Sequence, residues 1–168
     1  MMKLRAMFGL KMSFPNIKYF DDDFGEYFIN GKRFLTIGGA YSVDKWQRLQ
    51  NDFKWFADEQ LTAEEMLYAE KTFGGGYYDF VFSHTAPLDW EPRDLFLNCI
   101  DQSTVDKTME VWMNKFKEMI NWKVWCFGHY HADRIERPYV EQFYIEVEDM
   151  ETVWVRWQKY TQTKKLDW

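Results

Sequence analysis

The three histidines of this chain stand at the ends of short apolar runs, where a metal site would place its ligands. His84 ends the run at residues 80–84, and His129 and His131 end the run at residues 124–131. Such apolar, β-prone runs are typical of strands in an α/β sheet, which presents functional side chains at the carboxyl ends of its strands. Because neutral imidazole is the commonest ligand for ions such as zinc, manganese or iron, the expected chemistry is metal binding.

The spacing of His129 and His131 strengthens this prediction. A gap of one residue lets both imidazoles reach adjacent coordination positions from one loop, and Gly128 is expected to let the backbone turn sharply there. Taken alone, His84 is more often an ordinary polar group at a strand end than a ligand. Together, the three residues predict a metal site assembled from two strand ends.

The segment between the two histidine runs predicts the clearest helix, opening at residues 103–106. Apolar residues recur at helical spacing on one face: Val105, Met109, Trp112, Met113, Phe116, Met119 and Ile120. Charged residues form the opposite face: Lys107, Glu110, Lys115, Lys117 and Glu118. Because a right-handed crossover returns the chain in the same direction, the flanking strands should run parallel and bring His84 and His129 together.

Other segments predict the surrounding elements. Asn-Gly at residues 30–31 lies between two β-prone runs and predicts a hairpin with a type I′ turn. Thr62 and Glu65 form a capping box, which opens a helix expected to end near Phe73.

The C-terminal part alternates apolar and polar residues, which predicts two edge strands. Their apolar positions are Phe143, Ile145 and Val147 in the first strand, and Val153, Val155 and Trp157 in the second. The polar residues 158–168 predict a mobile tail.

Composition limits the function classes. A length of 168 residues with 46% hydrophobic content predicts one domain, and a net charge of -6 argues against a broad nucleic-acid-binding surface. No apolar stretch reaches the roughly 20 residues of a membrane helix, and residues 1–10 are too short and broken for a secretory signal, so a cytoplasmic protein is expected. Cys99 and Cys126 are poor nucleophile candidates, because their spacing fits no redox motif and Cys126 lies in an apolar strand.

A glycine pair at residues 38–39 ends the second strand of the hairpin and predicts a further active-site loop over residues 38–45. Asp44, Lys45, Arg48 and Arg93 are candidate side chains for contacting phosphate or orienting ligands. Each of these residues could equally form a structural ion pair.

The histidine motifs resemble those of a known family. Ser-His-Thr-Ala-Pro at residues 83–87, followed by Gly-His-Tyr-His at residues 128–131, resembles the last two motifs of the calcineurin-like metallophosphoesterases. The likeness extends to residues 38–45, 58–60, 91–93 and 100–107, which resemble bacterial and phage members.

This resemblance implies an α/β fold, in which a mixed sheet with flanking helices is part of a four-layer α/β/β/α sandwich. In the family, two divalent metal ions (manganese, iron, zinc or nickel) share a bridging aspartate, and a metal-activated water attacks a phosphoester. By motif, His84 and His129 resemble ligands of one metal, and His131 resembles a ligand of the other.

The resemblance covers only the C-terminal half of the family domain. The family's earlier motifs are Asp-x-His, Gly-Asp-x-x-Asp and Gly-Asn-His-Asp or Gly-Asn-His-Glu, whereas this chain has no histidine before His84. We therefore expect residues 1–168 to form a partial domain that lacks the bridging aspartate and holds at most one metal ion.

The function predicted from these motifs is one portion of a metal-dependent phosphoesterase, inactive or incomplete alone. The rest would come from an N-terminal half on another polypeptide or from a homo-oligomer. The alternative is a non-catalytic binding or inhibitory module, which would use aromatic surface to engage a partner. A third possibility is a mononuclear site of three imidazoles and one water.

Overall fold

The computed structural model describes residues 20, 23–56, 58–137, 139–144 and 147–164. Among them the strands are β1 (Phe24–Ile29), β2 (Lys32–Ile37), β3 (Tyr77–Ser83), β4 (Asn121–Phe127), β5 (Arg134–Arg137) and β6 (Val140–Gln142). The helices are α1 (Lys45–Gln50), α2 (Ala63–Phe73), α3 (Thr108–Met119) and α4 (Met150–Lys164). Short 3₁₀ helices at Leu88–Trp90, Arg93–Leu95 and Gln102–Thr104 lie between β3 and α3.

The strands form one mixed sheet in the order β1-β2-β3-β4-β6-β5. Strands β2, β3, β4 and β6 are parallel, whereas β1 and β5 pair antiparallel at the two edges. The predicted α/β class and mixed sheet with flanking helices are therefore confirmed. The parallel pairing of β3 with β4 across α3 also confirms the expected crossover.

Helices cover both faces of the sheet. Helices α2 and α3 pack against one face, where Val81 and Trp125 are fully buried, and α4 packs against the other face through Val153 and Trp154. Burial on both faces explains why the parallel strands are almost continuously apolar in sequence. None of the helices in the described part of the chain is long and apolar enough to cross a membrane.

Two local predictions are confirmed in detail. Asn30 and Gly31 both have positive φ, 49° and 75°, as a type I′ turn between β1 and β2 requires. The Thr62 side chain accepts a hydrogen bond from the Glu65 N–H while Glu65 accepts one from the Thr62 N–H, so the capping box opens α2.

The predicted strand containing Val153, Val155 and Trp157 is wrong, because these residues lie in α4. Val153 and Trp154 are buried against the sheet while Val155 is exposed, so the segment follows a helical period. Asp149 accepts hydrogen bonds from the Thr152 N–H and hydroxyl at 2.9 and 2.7 Å, as a residue that begins a helix does.

The neighbouring C-terminal predictions also need correction. The strand expected through Phe143 and Val147 lies earlier, since β6 ends at Gln142, and Ile145 falls outside the described residues. Residues 158–164 of the expected mobile tail continue α4, and residues 165–168 lie outside the described part. Helix α3 begins at Thr108, after the 3₁₀ helix at Gln102–Thr104, rather than at residues 103–106.

We predict that Phe116→Ala lowers the free energy of unfolding by about 3–5 kcal/mol, because Phe116 is 0% exposed in the core. The control Phe28→Ala, at a side chain 76% exposed, should cost less than about 1 kcal/mol. Denaturant-induced unfolding measures both values. Equal losses would show that Phe116 is not part of a packed core.

Candidate metal centre

Paired parallel strands bring the first two histidines together. Ser83 at the end of β3 lies opposite Phe127 at the end of β4, so His84 and His129 leave the sheet at the same edge. Their ring centroids are 5.2 Å apart, with the rings in an edge-to-face arrangement. The predicted meeting of these two histidines is confirmed.

Backbone hydrogen bonds extend the sheet by one residue beyond both strands. The His84 N–H donates to the Ile37 carbonyl, and the Gly128 N–H donates to the His84 carbonyl, each at 3.0 Å. The two loops are therefore joined by main-chain bonds before either imidazole projects from its loop.

The sharp turn expected at Gly128 occurs instead at the histidines. Positive φ is found at His129 (66°) and His131 (54°), and a Cβ on Gly128 would meet only ordinary contacts at 3.5 Å or more. Non-glycine residues rarely adopt this conformation, which costs on the order of 1–2 kcal/mol each. Such strain is concentrated at functional sites, and here it affects two of the three predicted ligands.

The third histidine is differently oriented. The exposed His131 ring stacks on Tyr144, with centroids 4.6 Å apart. Among the described residues, no group of three or more His, Cys, Asp or Glu side chains is arranged to hold a metal ion. The donor type suits a divalent cation, and two of the three imidazoles meet, while the third stacks on Tyr144.

Partial desolvation favours the neutral imidazole that a metal requires, although the His84 side chain is exposed and His129 is half-buried. Desolvation, reinforced by the nearby His131, lowers the pKa of His84. Desolvation, with the neighbouring charges of His84, His131 and Lys107, lowers the pKa of His129 to about 4. Both rings are therefore uncharged at neutral pH, with a nitrogen lone pair available as a ligand.

All three histidines line one cavity of about 690 Å³. Asp44 and Arg48 also line it, and they pair with each other at 2.7 Å one helical turn apart. The rest of the wall is largely apolar: Tyr41, Val43, Leu95, Phe96, Leu97, Ile100 and Val105.

The structure separates the other two substrate candidates from this cavity. The Lys45 ammonium lies 4.2 Å over the Trp55 ring, and Lys45 is not among the cavity-lining residues. Arg93 lines an adjoining cavity of about 640 Å³, where its Nε lies 3.7 Å from a Glu91 carboxylate oxygen. Asp44 and Arg48 are therefore the candidates that lie beside the histidines.

Sequence reasoning missed Glu110, which it assigned to the charged face of α3. Glu110 is 3% exposed and lines the histidine cavity. Lys117, placed on the same charged face, is also buried and pairs with Asp89 at 2.8 Å. The sequence does contain an indication of their burial. Glu110 and Lys117 are seven residues apart, which puts both side chains on one side of the helix, toward the loop after His84.

Comparison with protein-family models, curated proteins and solved structures finds no match to this chain. The resemblance to the metallophosphoesterases therefore stays a prediction based on the histidine motifs.

We predict that His131→Gly is more stable than His131→Ala by about 1 kcal/mol, because only glycine adopts positive φ without strain. Comparing these two variants cancels the loss of the imidazole. At the neighbouring Ala132, which lacks positive φ, Ala132→Gly should instead lose about 0.4–1 kcal/mol. Denaturant unfolding measures the three variants, and an alanine at 131 as stable as glycine would contradict the strain.

Proposed function

We propose that this chain supplies the imidazole part of a metal-dependent phosphoesterase site. The observation that carries the proposal is the meeting of His84 and His129 at the ends of paired parallel strands, with ring centroids 5.2 Å apart. His131 leaves the same loop as His129 and lines the same cavity. In the chain alone these imidazoles provide ligands for at most one divalent cation (manganese, iron, zinc or nickel), whereas in the completed site His131 would bind the second ion.

The histidines and the apolar side chains of the cavity have different roles in the expected chemistry. A bound divalent cation would neutralise phosphate charge and lower the pKa of a coordinated water. His84 and His129, whose pKa values are lowered by partial desolvation, would bind without first losing a proton. Leu95, Phe96 and Val105 give one side of the cavity an apolar wall.

We propose further that this site is incomplete in the chain alone. The described carboxylates that line the cavity are Asp44, which pairs with Arg48, and Glu110, which accepts a hydrogen bond from Thr85. Glu110 keeps one oxygen without a hydrogen-bond partner in the described part of the chain, but that oxygen is buried, so we infer that neither carboxylate bridges two metal ions. A second polypeptide or a second copy of the chain would supply the bridging carboxylate.

The same proposal includes the four-layer sandwich. On the face of the sheet that α4 covers, Tyr27 and Phe82 remain only partly buried, as does Trp157 of α4 itself. A second sheet would complete the burial of these aromatic rings, as burial of apolar area favours.

A non-catalytic binding or inhibitory module is the second candidate, and a different observation favours it. Large apolar side chains around α1 are exposed, among them Trp46, Phe53 and Phe56. Exposed aromatic clusters mark protein interaction surfaces. A monomer with an intact metal site would count against this candidate, and a stable dimer that binds no metal would favour it.

We predict that the purified chain binds at most one zinc or manganese ion and that His84→Ala weakens binding by on the order of 100-fold or more. The chain has only three histidines, so background sites are few. Isothermal titration and elemental analysis measure affinity and stoichiometry.

The matched control is Cys99→Ser, because Cys99 is an exposed thiol that could hold metal by itself. Affinity should be unchanged in Cys99→Ser and lost in the double variant His129→Ala with His131→Ala. Equal binding by wild type and the double variant would refute the metal site.

We also predict negligible hydrolysis of a generic phosphodiester by the chain alone with manganese, because both carboxylates that line the described cavity are engaged by protein groups, Asp44 by Arg48 and Glu110 by Thr85. Initial rates are compared between wild type and His84→Ala. A wild-type rate well above that of the variant would instead support the mononuclear arrangement of three imidazoles and a water.

A further inference from the structure

A buried chain of side-chain hydrogen bonds joins the two histidine loops to α3. The Thr85 hydroxyl donates to Glu110 Oε1 at 2.8 Å, and Thr85 Oγ1 lies 3.1 Å from the Tyr130 hydroxyl. Thr85 is 0% exposed and follows His84, whereas Tyr130 lies between His129 and His131. The Glu110 carboxylate is therefore linked to Thr85, which is adjacent to His84, and through Thr85 to Tyr130, which is adjacent to His129 and His131.

Which group donates in each of these hydrogen bonds follows from the carboxylate that accepts the first one. A carboxylate oxygen accepts hydrogen bonds, so the Thr85 hydroxyl must donate to Glu110 Oε1. Since a hydroxyl has one proton, the contact with Tyr130 is made by the Tyr130 hydroxyl donating to Thr85 Oγ1. Removing the acceptor at 110 would leave the Thr85 hydroxyl, and with it the contact to Tyr130, without a fixed orientation.

Further contacts connect these hydrogen-bonded side chains to the imidazoles. The Tyr130 ring meets the His129 ring edge-on, with centroids 4.9 Å apart. The Ser83 hydroxyl donates to the Thr85 carbonyl at 2.6 Å and accepts from Trp125 Nε1 at 2.8 Å. Thr85 is thus held from both its main chain and its side chain, and Tyr130 limits the positions open to His129.

Fold stability does not explain the buried carboxylate. Burial raises the pKa of Glu110, and its Oε2 has no hydrogen-bond partner among the described residues. A buried carboxyl group with one unsatisfied oxygen destabilises the fold, and an apolar residue of similar shape is often neutral or stabilising in its place. Its contribution therefore lies in what it orients.

We propose that Glu110 is a positioning residue, which through Thr85 and Tyr130 holds the loops of His84, His129 and His131 in one arrangement for metal binding. This inference rests on the proposed function only for the metal. The hydrogen-bonded bridge between the loops, which runs from Glu110 through Thr85 to Tyr130, is a property of the metal-free protein.

The test uses two pairs of variants that separate shape from hydrogen bonding. Thr85→Ser and Glu110→Gln keep the hydroxyl and the acceptor oxygen, whereas Thr85→Val and Glu110→Met remove them at similar size. Thr36→Val is the matched control, since Thr36 is a buried threonine on β2 whose hydroxyl bonds to the Gly25 carbonyl. Circular dichroism confirms that each variant is folded.

The first readout is amide hydrogen exchange at Gly128 in metal-free protein, because the Gly128 N–H donates to the His84 carbonyl between the loops. Exchange should accelerate at least about tenfold in Thr85→Val and Glu110→Met and stay near wild type in the other variants. The second readout is zinc affinity, which should fall by about 10- to 100-fold in the same two variants.

The outcomes distinguish this inference from the proposed function. Unchanged exchange in Thr85→Val and Glu110→Met overturns the bridge, and faster exchange with unchanged zinc affinity overturns the positioning role. A wild-type chain that binds no zinc overturns the proposed function, while accelerated exchange in those two variants would still support the bridge.

Discussion

The parallel pairing of β3 with β4 is the constraint on which the site depends. Its register sets Ser83 opposite Phe127, so two histidines that are distant in sequence leave the sheet side by side. The fully enclosed Val81 and Trp125 are partners in that register, and a slip of one residue would turn one of them away from α2 and α3 toward the face that α4 covers. Helix α3 makes the parallel pairing possible, and it also carries Glu110, which bonds to Thr85 of the first histidine loop and through Thr85 is linked to Tyr130 of the second.

The site combines several features that a stable fold would avoid. Two histidines hold positive φ, two imidazoles are desolvated enough to lower their pKa, and the Glu110 carboxyl group is only half satisfied. Each feature costs free energy, and each persists because the surrounding sheet and helices fix the backbone around it. Their concentration around one cavity is what favours a functional reading of His129 and His131 over a merely structural one.

Local patterns predicted the parts of the fold that local physics determines. The turn at Asn30 and Gly31, the capping box at Thr62 and the two histidine strands each follow from neighbouring residues. Helix α4 was mistaken for a strand because Val153, Val155 and Trp157 alternate, and only packing against the sheet shows that Val155 faces solvent. Glu110 escaped notice for the same reason, since its burial depends on Thr85, which is 25 residues earlier in the chain.

Electrostatics gives the imidazoles a specific part in the proposed function. The chain carries a net charge of -6, and the described cationic side chains at the cavity are already paired, Arg48 with Asp44 and Lys107 with Glu91. A phosphoester entering this cavity would therefore meet little uncompensated positive charge from the protein itself. Neutral imidazoles add no charge of their own, so a divalent cation held by them would keep nearly its full charge for the phosphate. In the proposed function, histidine ligands suit an acidic protein, because carboxylate ligands alone would cancel the charge that attracts an anionic substrate.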